Sequence, residues 1–120
     1  MKKIVIVLFL VFCNFTLMAE NIIENKFFVE APENTVIYSI EDGMVLDLGY
    51  DVELGMFVKI DYPSIGITVT YCNLKSAFLK RDEKVYKGNK IGKTGITGNI
   101  AKSGITQIIQ VNEKRFLFNE

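Results

Sequence analysis

The chain has 120 residues, 49% of them apolar and 23% charged, with no net charge. That is one domain's worth of foldable sequence, too apolar for a disordered segment and without the basic excess of a nucleic-acid binder. It contains no histidine, which excludes a Ser-His-Asp triad, a Cys-His dyad and a His-containing zinc site within these residues.

Met1-Lys2-Lys3 leads into an uninterrupted apolar run from Ile4 to Phe12 and on to the small residue Ala19. A basic start, a short apolar core and a small residue at the end form the layout of a secretory signal peptide, residues 1–19. Asn14 and Thr16 break the run well short of the roughly 20 residues a membrane-spanning helix needs. Leu10-Val11-Phe12-Cys13 offers a second reading, a lipobox with Cys13 as the lipidated residue. Both readings export the chain to the periplasm or envelope, and cleavage after Ala19 leaves no transmembrane segment. It would also leave Cys72 as the sole cysteine, so no internal disulfide supports the fold. Cys72 then reads as a buried small hydrophobe or as a free thiol.

From Phe27-Phe28-Val29 onward the pattern is that of short strands. Val36–Ile40, Met44–Leu48, Met56–Ile60 and Ile67–Tyr71 alternate or are β-branched, and glycine, proline and acidic turns separate them. Lys84-Val85-Tyr86, Lys90-Ile91-Gly92, Ile105–Val111 and Arg115–Phe118 continue the series. The best helical stretch, Leu74–Leu79, is too short to matter. The expectation is an all-β single small domain of antiparallel sheets, a sandwich or barrel.

Charge divides along the chain. Residues 20–61 carry ten acids against Lys26 and Lys59, whereas residues 62–120 carry ten bases against four acids. Lys75, Lys80, Arg81, Lys84, Lys87, Lys90 and Lys93 read either as solvated outer faces or as an anion-facing surface. Pairing between strands of the two halves would cancel the asymmetry.

Several spaced elements then line up: Ala31-Pro32, Val36-Ile37-Tyr38-Ser39, Gly43-x-Val45, Gly55-x-x-Val58-x-Ile60 and Tyr71-x-x-Leu74. Last comes Val85-x-x-Gly88-x-x-Ile91-Gly92-x-x-Gly95-x-Thr97-Gly98, with Gly104 opening a final strand. The last run alone is also similar to the hairpin of biotinyl or lipoyl carriers, but neither Lys93 nor Lys102 has the setting of a carrier lysine. The whole order resembles the lysostaphin-like (LytM) zinc peptidase domain of bacterial peptidoglycan endopeptidases, over residues 24–118. The resemblance implies the LytM β-sandwich, related to the duplicated hybrid motif.

The resemblance also implies where that family's chemistry would sit. Its His-x-Gly-x-Asp falls on Glu24-Asn25-Lys26-Phe27-Phe28, its Tyr-x-His-Leu on Tyr71-Cys72-Asn73-Leu74, and its Gly-x-His-x-His on Gly104-Ile105-Thr106-Gln107-Ile108. The five functional positions thus hold Glu24, Phe28, Asn73, Thr106 and Ile108. Only Glu24 retains a side chain that ligates zinc well, and Asn73 and Thr106 do not titrate near neutral pH. Asp47, Glu53 and Asp61 exist, but their spacing brings no two together as a new acid–base pair. One residue is out of pattern: Gln107 falls where the family turns an apolar side chain to the core, so either it finds partners or the strand slips by one.

The expectation is therefore a protein without catalytic residues, metal or other cofactor. It would be a LytM-like binding or regulatory module for peptidoglycan or a cell-wall hydrolase. The alternatives are an adaptor subunit of an envelope or membrane complex, for which Phe116 and Phe118 offer apolar side chains, and, further from these residues, an active metallopeptidase.

Overall fold

The computed structural model describes residues 22–112. The expected leader, residues 1–19, and the expected strand Arg115–Phe118 lie outside them. Eight strands form one antiparallel system: β1 (Ile22–Glu30), β2 (Val36–Tyr38), β3 (Gly43–Asp51), β4 (Gly55–Tyr62), β5 (Ile67–Ala77), β6 (Lys84–Val85), β7 (Lys90–Thr94) and β8 (Gly104–Asn112). The expected all-β class holds. A single 3₁₀ turn at Pro63–Ile65, closed by Gly66 at φ 69°, is the one helical element among the described residues. None there is long and apolar enough to cross a membrane.

Strand order is β1-β8-β5-β4-β3-β6, with β2 paired to β7 and β7 paired in turn to β5. β5 organises this arrangement. Its first half, Ile67–Cys72, pairs with β8, and its second half, Leu74–Ala77, pairs with β7. β4 runs along its other side, with a register shift between Met56 and Val58. The stretch Leu74–Leu79, weighed above as helical, is strand as far as Ala77 because β7 supplies the backbone partners there.

Alternation in these strands turns one face inward. Val45, Val58, Ile60, Val69, Leu74, Val85, Ile91 and Ile105 are buried together, drawn from six strands. Each such side chain contributes about 1.5–3 kcal/mol on leaving water. Tyr62 and Tyr71 join them and settle their hydroxyls in a chain: Ser39 Oγ lies 3.0 Å from Tyr62 Oη, which lies 2.9 Å from Tyr71 Oη. Ser39 Oγ donates onward to the Glu41 carbonyl at 2.8 Å. Burial and the bond to Tyr62 raise the Tyr71 phenol above its ordinary range.

The linear charge asymmetry does not survive folding. The three ion pairs among the described residues, Lys75–Glu33, Arg81–Asp47 and Lys102–Glu30, each join the basic half to the acidic half. Arg81–Asp47 is the tight one at 2.6 Å, and Arg81 also donates to the Leu48 carbonyl.

Candidate functional site

The site is built where β1, β8 and β5 lie side by side. Residues directly opposite one another in an antiparallel pair share a face. The registers set Phe28 against Thr106 and Thr106 against Cys72, then Lys26 against Ile108 and Ile108 against Thr70. One rung further, Glu24 faces Gln110, which faces Thr68. These side chains occupy the face opposite Val69, Tyr71 and Ile105, which look into the core. Thr70, Cys72 and Thr106 form a buried floor, while Glu24, Lys26 and Phe28 stand exposed at its rim.

Asn73 ties the floor together. It sits at φ 66°, a left-handed conformation that asparagine tolerates, at the point where β5 leaves β8 for β7. Its side-chain oxygen accepts the Thr106 N–H at 3.0 Å, and its Nδ2 donates to the Leu54 carbonyl at 3.1 Å and the Thr97 carbonyl at 2.9 Å. Its own backbone N–H donates to Leu54 and its carbonyl accepts Gly95 N–H. The side chain is 1% exposed. Both amide protons and the oxygen are committed to backbone.

Phe28 thus stands opposite Thr106, Ile108 follows two residues along the same face, and Asn73 is bonded to the Thr106 backbone, whereas Glu24 lies apart from them. β1 runs against β8 in unbroken register, so Glu24 stands four residues along a straight strand from Phe28, about 13 Å between Cα atoms. It is engaged at that distance, accepting a bond from Gln110 Nε2 at 3.1 Å. The Phe28 ring lies over Gly104, where a Cβ would overlap it. Beside it, Phe28, Ile100, Ala101 and Lys102 line an open recess of about 230 Å³.

These positions do not fit a metal ion. Phe28 and Ile108 present carbon, the Asn73 amide is spent, and Glu24 is out of reach of Thr106. Among the described residues no group of three or more Cys, Asp or Glu side chains is close enough to hold one. Cys72 is no better placed for nucleophilic work. Burial pushes its thiol up to about 11, with Lys26 opposing and Asp51 assisting, and only the thiolate attacks. Of the other carboxylates, Asp47 pairs with Arg81 and Asp61 accepts the Thr68 hydroxyl at 3.3 Å.

The strand carrying Thr106 has not slipped. Ile105 is buried, Ile109 packs on the core, and Gln107 stays between them on that side, half-exposed opposite Tyr71 and Phe27. Among the described residues β1 is an edge strand, and Gln107 beside it keeps its amide partly exposed to solvent, where it is tolerated.

Two threonines hold the strands around this site together, Thr97 of the glycine-rich motif and Thr94, which no motif marked. Thr97 Oγ1 accepts Met56 N–H and donates to the Leu74 carbonyl, locking the β3–β4 hairpin to β5. Thr94, fully buried, accepts Thr35 N–H and donates to the Pro32 carbonyl. Their signal was the glycines beside them, Gly95 and Gly98, which mark close backbone approach.

Residues 25–116 match the model of Peptidase family M23. An "Uncharacterized metalloprotease" of Buchnera aphidicola subsp. Baizongia pistaciae (strain Bp) is 36% identical over 67 residues, 56% of this chain and 18% of that protein. The chain thus spans under a fifth of the curated relative it matches. Among solved structures, the catalytic domain of the antimicrobial peptidase lysostaphin from Staphylococcus simulans superposes with a TM-score of 0.65 at 22% identity, covering 72% of this chain and 65% of that one. A zinc containing peptidase from Vibrio cholerae gives 0.65 at 24% identity, covering 69% and 25%. At these identities the likeness to both structures is one of fold.

Proposed function

The chain belongs to peptidase family M23, and from that premise we propose that it is a non-catalytic member. In this reading it is an exported envelope protein whose groove binds a peptide of peptidoglycan or of a wall-remodelling enzyme. The observation that carries the reading is the chemistry at Phe28, Asn73, Thr106 and Ile108. Amide hydrolysis needs an electrophile to polarise the carbonyl and a group that moves protons near neutral pH. Hydrocarbon occupies two of the four positions. The third is an amide saturated by Thr106, Leu54 and Thr97, and the fourth is a neutral hydroxyl.

What remains is suited to holding rather than cutting. The floor offers the hydroxyls of Thr70 and Thr106, and Lys26 stands at its rim. The recess beside Phe28 combines apolar walls with the ammonium of Lys102. A small side chain in that recess, with a peptide carboxylate near Lys26 or Lys102, satisfies both characters. Export rests on the leader read in residues 1–19.

Co-sedimentation of the purified protein with isolated wall sacculi tests the proposal. The expected result is retention that is reduced by Lys102→Glu. Absence of retention would overturn wall binding, and recovery of a single protein from envelope extract in place of the sacculus would favour an adaptor role.

A further inference from the structure

β1 is a nine-residue edge strand that pairs with β8 and with no other strand among the described residues. Residues Glu24 to Glu30 are all exposed, including three large apolar side chains in a row, Phe27 at 43%, Phe28 at 41% and Val29 at 46%. A long apolar edge is a liability that folded proteins ordinarily cover or blunt. The hydrogen bonds around β1 fix the direction of its free backbone groups. Ala31 N–H donates to Ser103, at the end of the β1–β8 ladder, while Thr106 and Gly104 direct their N–H groups away from β1, to Asn73 and Gly95. Odd-numbered residues of β1 therefore bond to β8, and Lys26, Phe28 and Glu30 aim their N–H and C=O groups outward.

We propose that this edge pairs with the same edge of a second copy, as an antiparallel two-fold dimer centred on Phe28. In that register outward groups meet outward groups, giving about six ladder hydrogen bonds. Lys26 stands opposite the partner's Glu30 and Glu30 opposite the partner's Lys26, so the two-fold axis makes two ion pairs from one lysine and one glutamate. Phe27 and Val29 meet across the strands on the other face. Registers within two residues are worse, and centring on Asn25, which pairs Glu24 with the partner's Lys26 but leaves Glu30 without an oppositely charged partner, is told apart by its indifference to Glu30→Lys. Centring on Phe27 sets Glu24 against Glu30 twice, centring on Lys26 or Glu30 sets like charges against themselves, and centring on Val29 pairs no charges. Within one chain Lys26 and Glu30 are about 13 Å apart and do not meet; Glu30 there stands 3.9 Å from Lys102, a loose exposed pair that leaves its carboxylate open to the partner's Lys26 as well.

Sedimentation equilibrium of the purified protein, with no groove ligand added, tests this. The protein is expected to be dimeric, and Lys26→Glu or Glu30→Lys alone is expected to weaken the dimer about tenfold or more by placing like charges opposite at both ends. The double variant, Lys26→Glu with Glu30→Lys, restores attraction with the charges exchanged and is expected to recover the dimer. A monomeric parent, a dimer indifferent to the single reversals, or a double variant as weak as the singles would each overturn the proposal.

Discussion

The side-chain oxygen of Asn73 accepts the backbone N–H of Thr106 at 3.0 Å, so the two residues at the positions where the motif resemblance implies histidines are bonded to each other as structure. The bond closes a gap in the sheet. β5 turns away from β8 at Asn73, and without a side-chain acceptor the Thr106 N–H would be buried unpaired.

Asn73→Ala is expected to destabilise the protein by about 2–5 kcal/mol, because it strands one buried donor and weakens the partners of two carbonyls. Asn73→Asp keeps the acceptor for Thr106 but sets a carboxylate oxygen against the Leu54 and Thr97 carbonyls. It should be destabilised at neutral pH and recover partly on acidification, where the protonated acid again donates. Urea unfolding at two pH values reads both.

Gly55 and Gly88 separate strain from crowding. Both have positive φ, 71° and 88°. A Cβ on Gly55 overlaps Thr97, whereas one on Gly88 meets nothing within 4 Å. Gly88→Ala is expected to cost about 1 kcal/mol from backbone conformation alone, and Gly55→Ala distinctly more. Equal unfolding midpoints would refute the Thr97 lock.

Stability is expected to fall in alkali. The Cys72 thiol and the Tyr71 phenol are both held neutral by burial, with raised pKa values, while an unfolded chain releases these protons from 9.0 and 10.0 upward. Their contribution is complete below pH 9 and is lost as pH rises, for the thiol by about pH 11. Denaturant midpoints between pH 8 and 11 measure the fall, and Cys72→Ala should remove its earlier part.

The strands were legible because alternation and β-branching report which positions leave water. The motif spacing likewise put Thr106 and Ile108 on one face, since positions two apart on a strand share a face whatever their chemistry, and the β1 register sets Phe28 opposite Thr106. What spacing did not convey was long-range partnership. The extension of β5 past Leu74 depends on β7, the left-handed turn at Asn73 depends on three backbone groups distant in sequence, and the straightness of β1 that separates Glu24 from Phe28 depends on β8. Gln107 was legible as an anomaly, but its resolution needed the knowledge that its neighbour is an edge strand.

Zinc content bears most directly on the claim that this M23 domain has given up its chemistry. The purified chain would be incubated with excess zinc, desalted, and its bound metal counted by elemental analysis. The account predicts that no stoichiometric zinc stays with the protein. One zinc retained per chain would contradict it.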